Sequence, residues 1–176
     1  MMKKLLFLVF FVLAIACNSD ENNQPAKTAQ NLVTGINMRQ NFDDTMYTLG
    51  NPNVLTGGKF VIYPNPANDV VIVMAEENIS DVWIVPANAD KIYQDEDFTS
   101  ILNSGLYTAQ SIVSNAQYSL NGQSAMNSDL DISYLEEGYY RIFVKIDGEI
   151  YWDNLYKYGG DGDNAQQFAA ILNFWE

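Results

Sequence analysis

One cysteine, no histidine, and twenty-two acidic against nine basic side chains set the chemistry open to this chain of 176 residues. Without imidazole there is no Ser-His-Asp or Cys-His relay and no histidine metal ligand. A single thiol, Cys17, provides neither an internal disulfide nor a thiolate zinc or iron-sulfur site. What remains is carboxylate work: the paired acids of glycoside hydrolysis, or oxygen ligation of calcium. Asp161-Gly162-Asp163-Asn164 is the stretch to weigh, because alternating Asp side chains around a glycine can turn several oxygens inward. Asp161, Asp163 and Asn164 are therefore candidate calcium ligands, although no Glu closes the twelve-residue loop pattern, and a plain turn with a helix cap explains the same residues. Asp95-Glu96-Asp97 reads as a solvated acidic loop rather than a catalytic pair. The expectation is a protein that is not an enzyme and takes no cofactor beyond that calcium.

The setting of Cys17 gives it another role. Residues 1–16, MMKKLLFLVFFVLAIA, carry Lys3 and Lys4 and then an apolar run from Leu5 to Ala16, and polar CNSDENN follows at once. The run is shorter than the ~20 apolar residues of a spanning helix. This segment resembles a bacterial lipoprotein signal, with Ala14, Ile15 and Ala16 where the family usually begins with Leu. The resemblance implies cleavage before Cys17, acylation of Cys17 with palmitate or a similar chain, and anchoring to the outer membrane by that lipid. Asp20-Glu21 resembles the acidic signal for surface display in the gram-negative lineage that uses type IX secretion; the periplasmic face is the alternative. Because Lys3 and Lys4 lie in the leader, the remaining chain is more acidic still than the overall charge of −13. Such a surface repels nucleic acid and anionic headgroups.

The elements that must position these groups follow in order. Residues 17–31 (Asn18 to Gln30 reads NSDENNQPAKTAQ) have no apolar period and read as a flexible tether. Residues 32–58 hold two strand-like pieces, Leu32 to Met38 and Thr45 to Leu49, around Asn41-Phe42-Asp43-Asp44, whose side chains suit a turn; a hairpin is the simplest arrangement. Residues 59–158 form the main domain. There Pro64 and Pro66 fix φ and remove two donors, so Tyr63 to Pro66 makes a corner. Val70 to Met74 is apolar on both faces, which predicts a strand buried on both sides. Tyr140, Ile142, Val144 and Ile146 alternate with Arg141, Phe143 and Lys145, and Asp147-Gly148 is a strong hairpin signal. Pairing across that turn sets Phe143 opposite Trp152 and Ile142 opposite Asp153, which predicts a bulge or a sheet edge at Asp153.

These residues carry a resemblance. FVIYPNPANDVVIVM, with its Tyr63 to Ala67 corner, and LEEGYY at Leu135 to Tyr140 are similar to the two ends of the type IX secretion C-terminal sorting domain. The resemblance spans about Phe60 to Tyr158. It implies an all-β fold, an antiparallel β-sandwich of the sorting-domain or immunoglobulin-like kind. Two departures stand out. Phe98, Ile101, Leu102, Leu106, Ala109, Ile112, Val113 and Ala116 fall at helical spacing in a long insertion, where Asp97 could cap a helix and Gly105 would weaken it; a short helix near Phe98 to Asn103 followed by strands is the equal alternative. Residues 159–176 follow the last strand, with Phe168, Ile171, Leu172 and Trp175 on one face of a short C-terminal helix and Asp163 with Gln166 resembling a capping box.

The expected function is that of a non-enzymatic surface lipoprotein, a binding or structural module that serves as an accessory subunit of an outer-membrane complex. Phe143, Trp152, Phe168 and Trp175 are the candidate partner contacts, as an exposed aromatic patch and a docking helix. Packing of the same side chains within the fold is the other arrangement. Type IX cargo carrying its sorting signal is one alternative function. A surface carbohydrate-binding sandwich, using Trp83 or Trp152 as a platform, is another.

Overall fold

The computed structural model describes residues 25–160 and 162–176, so Cys17, Asp20, Glu21 and Asp161 lie outside the described residues. The strands are β1 (Leu32–Val33), β2 (Gly35–Met38), β3 (Tyr47–Gly50), β4 (Phe60–Tyr63), β5 (Val70–Pro86), β6 (Asn88–Ala89), β7 (Tyr118–Asp131), β8 (Gly138–Ile146) and β9 (Glu149–Lys157). Two short α-helices, α1 (Ala109–Val113) and α2 (Asn164–Trp175), complete the set. The fold is mostly strand, antiparallel in its main sheet, and ends in a helix.

β5 organises the sheet. Its first half pairs with β4 on one side and β7 on the other; its second half pairs with β8 while β7 continues alongside. β9 extends the sheet beyond β8. The polar residues Glu76, Glu77 and Asn78 interrupt the apolar pattern, yet the strand runs through them with register shifts between Met74 and Asp81. Those shifts re-aim the side chains. Val71 and Val73 before the shift and Val82 and Ile84 after it all enter one core with Phe60, Ile62, Leu130, Ile142 and Leu155. The curled sheet thus closes on its own apolar face.

The expectation that Val70 to Met74 is buried on both sides is corrected: Val70 is exposed, and Ile72 and Met74 are half-buried. It is the second half of β5 that is covered twice. There Trp83 and Val85 point away from the main core and, with Phe143, Ile150 and Trp152, are covered by Phe98, Leu102, Tyr107 and Ile112. The covering segment is not the long helix its spacing suggests. Asp97 caps only a single 3₁₀ turn, Phe98–Ser100, by accepting from the Thr99 N–H at 3.1 Å. The Asn103 side chain then takes the Gly105 N–H at 3.2 Å, and α1 restarts behind a Thr108/Ser111 capping box.

A third apolar cluster joins the β2–β3 hairpin to the C-terminal helix through Ile36, Met38, Leu49, Tyr156, Tyr158, Ile171 and Trp175. Asp163 caps α2 as expected, accepting from the Ala165 N–H at 2.9 Å. The Gln167 side-chain oxygen accepts from the Gly159 N–H at 2.8 Å, a tie from the helix to the preceding loop that is distinct from the reciprocal bond to Asp163 expected of Gln166. Gly50 allows this packing. Its φ is +65°, and a Cβ there would stand 2.7 Å from the Trp175 ring.

Of the tether expected over 17–31, residues 17–24 lie outside the described residues, and the expectation is corrected for the rest. Residues 25–31 are bound into the fold: Thr28 is buried, Lys27 pairs with Glu96, and the Gln30 amide donates to Ser111 Oγ at 2.8 Å. The β8–β9 hairpin has the expected register, with Asp147 (φ 50°) and Gly148 (φ 85°) both in the left-handed region at its turn. Among the described residues no helix is long and apolar enough to cross a membrane.

Candidate functional site

Arg141 is the largest charged side chain in the interior, with none of its surface exposed. It stands on β8 beside Phe143, on the face away from the main core. Its Nε donates to Asn154 Oδ1 at 3.2 Å, and Nη1 donates to the Ala29 carbonyl at 3.2 Å and to the Tyr107 hydroxyl at 3.1 Å. Nη2 donates to the Leu32 carbonyl and, at 3.3 Å, to the Asn53 carbonyl. A guanidinium has five N–H donors, and all five are used. Burial pushes the guanidinium pKa down, while Tyr107 and the Asp153 charge hold it up.

Around it, Asn53 and Asn154 complete the network. Asn154 Nδ2 donates to the Gly35 carbonyl at 2.8 Å and to Asn53 Oδ1 at 3.2 Å, and Asn53 Nδ2 donates to the Leu32 carbonyl at 3.0 Å. Asn65, from the proline corner, donates to the Asn154 carbonyl at 2.8 Å and accepts from the Tyr156 N–H at 3.1 Å. These side chains seal the outer edge of β9. Every guanidinium donor is spent on the protein itself, so the cluster fastens the N-terminal segment to the sheet and leaves Arg141 no donor for a ligand.

Asp153 follows on the same strand, opposite Ile142 on the main-core side. It lies in the last strand of the sheet, the edge that the sequence predicts, while the β8–β9 register runs on without a bulge. Burial raises its carboxyl pKa to about 7, against the opposing pull of the Asn154 N–H, the Arg39 charge, the Asn37 side chain and Arg141. The folded state therefore holds a proton that the unfolded chain releases near pH 4. Stability from this group is full below pH 4 and falls as pH rises toward 7, with a slope of at most one proton, about 1.4 kcal/mol per pH unit. Urea titrations of wild type and Asp153→Asn between pH 4 and 7 check this: the variant's advantage should grow with pH, and parallel curves would contradict the assignment.

The four aromatic residues expected to meet a partner divide. Phe143 and Trp152 are fully buried, so the exposed patch expected of them is corrected: the segment from Tyr93 to Ala116 covers both. Trp152 Nε1 is occupied by the Asn53 carbonyl at 2.9 Å, and Tyr107 packs edge-on to both rings. Trp83 is buried too, so neither tryptophan offers a carbohydrate platform. Trp175 is buried against Tyr139, whose hydroxyl accepts from its Nε1 at 2.8 Å. Phe168 alone opens onto a groove. Of the calcium candidates, Asp163 caps α2 and Asn164 begins it, and among the described residues no three His, Cys, Asp or Glu side chains cluster.

The groove at Phe168 measures about 410 Å³ and is lined by Met38, Arg39, Gln40, Asp44, Thr45, Tyr47 and Pro66 as well. A second, of about 400 Å³, also has Arg39 in its wall, together with Phe42, Lys59, Val61, Met74 and Glu76. Arg39 is thus the shared wall. It is held by backbone bonds to Asn65 in both directions, at 2.9 and 2.8 Å. Among the described residues Lys27, Lys59 and Lys145 are ion-paired, and Arg141 and Lys157 are buried. That leaves Arg39 and Lys91 as the cations outside the interior with no ion pair. Sequence reasoning missed Arg39, because one arginine beside an Asn-rich turn has no periodic or motif signal. No protein-family model, curated protein or solved structure matches this chain.

Proposed function

We propose that this protein is a non-enzymatic lipoprotein, anchored through Cys17 to the outer membrane and displayed at the cell surface, and that its β-rich body is a binding or structural module. Its role is that of an accessory subunit of an outer-membrane complex. The observation that carries the reading is the contrast between two arginines. Arg141 has every donor satisfied inside the fold, whereas Arg39 stands without an ion pair between two open grooves. A body whose buried arginine is spent on the fold itself, with a cation free of ion pairs between its grooves, suits recognition rather than turnover.

The curled sheet, with both halves of β5 facing one core, supports its classification as a sandwich of the sorting-domain type. So does the way the proline corner meets the last strand of the resemblance region: Asn65 bonds to Asn154 and Tyr156 on β9. That contact equally favours type IX cargo as the second reading. The docking of α2 onto the β2–β3 hairpin favours a retained body over a signal that is removed.

The intact mass of the protein extracted from its own membranes tests the proposal. Acylated Cys17 through Glu176 is the expected species. A species lacking the chain beyond about Phe60 would replace it with the cargo reading.

A further inference from the structure

We infer that the paired grooves flanking Arg39 form one docking site for an extended peptide segment of a protein partner, with a single carboxylate set on Arg39 and apolar side chains lying to either side. The inference rests on the reading of the protein as a binding module and names the surface and the chemistry it takes.

Charge complementarity is the first argument. Arg39 is a fork of N–H donors suited to a carboxylate. Among the described residues neither Asp44 of the Phe168 groove nor Glu76 of the second groove forms an ion pair with it, and Asp153, whose carboxyl feels the Arg39 charge, is buried. Asp44 is instead turned to its own hairpin, where its Oδ2 accepts from the Gln40 and Asn41 N–H groups at 3.2 and 2.7 Å and from the Asn41 amide at 3.1 Å.

The walls supply the second argument. Met38, Tyr47, Pro66 and Phe168 line one groove beside Gln40, Asp44 and Thr45, and Phe42, Val61 and Met74 line the other beside Lys59 and Glu76, so each groove offers apolar surface next to the cation. Tyr47 is 54% and Phe42 47% exposed, and Phe42 lies 6.3 Å from the Tyr63 ring. Apolar walls with thioether and pyrrolidine surface match aliphatic and aromatic side chains.

The remainder of the molecule sharpens the ligand. A chain with a net charge of −13 repels a run of acids. One carboxylate in a neutral, apolar setting gains the Arg39 contact and meets little of that repulsion, whereas a polyacidic segment does not.

Selection of a random heptapeptide library on the full-length acylated protein in detergent tests this. The expected result is enrichment of peptides with one Asp or Glu flanked by Leu, Ile, Phe or Met. Changing that acid to its amide, or making Arg39→Gln or Tyr47→Ala in the protein, should each weaken binding at least about tenfold. Should Arg39→Gln fail to fold, Tyr47→Ala and the peptide amide decide the matter. Absence of enrichment, binding indifferent to these changes, or Arg39-dependent binding of polygalacturonate in place of peptides would overturn the inference. The wider reading stands or falls separately, on the intact mass.

Discussion

Arg141→Ala is expected to cost about 3–5 kcal/mol of folding stability, as when one partner of a buried charged network is removed. The loss has three parts. The Ala29, Leu32 and Asn53 carbonyls, the Tyr107 hydroxyl and Asn154 Oδ1 would each lose a donor in a site closed to water. A cavity would open beneath Phe143, and the N-terminal segment would lose its fastening. Arg141→Lys should rescue only part of this, because an ammonium has three donors and no planar fork. Urea unfolding measures the loss, and limited proteolysis locates it, with cutting between residues 25 and 53 appearing first. An unchanged midpoint would mean that the guanidinium is not the fastening.

Trp152→Ser should be comparably severe, about 3–5 kcal/mol, as for truncation of a large buried aromatic side chain. Its ring meets Tyr107 at 4.8 Å and Phe143 at 6.1 Å between centroids, and its N–H satisfies the Asn53 carbonyl. As an exposed recognition residue it would instead lose binding with the fold intact. Thermal unfolding separates the two. A drop of many degrees identifies the core residue, while an unchanged Tm with lost binding would restore the exposed patch.

The sequence revealed most where structure is local. Asp147-Gly148 and the alternation beside it determine the β8–β9 register over a few residues, and Asp163 with its apolar stripe determines α2. β5 was harder to read as one strand, because Glu76, Glu77 and Asn78 look like a loop until β7 and β8 are present to pair with either side. Arg141 was hidden for a different reason. It alternates with Tyr140 and Ile142 as a solvent-facing residue would, and its acceptors at Ala29, Leu32 and Asn53 lie 112, 109 and 88 residues away. No window of sequence contains them. Arg39 has the opposite problem: its significance lies in lacking the ion pair that Lys27, Lys59 and Lys145 have.

Those long separations also impose an order in time. Residues 25–53 are made well before the strands that hold them, and their carbonyls remain without Arg141, Asn154 and Trp152 until β8 and β9 have been synthesised. Contacts between distant parts of a chain close slowly because loop entropy is lost before they form. The N-terminal segment should therefore gain hydrogen-exchange protection last in refolding. A chain halted before Arg141 should keep that segment open to proteases and chaperones, so the final third acts as the lock on the first.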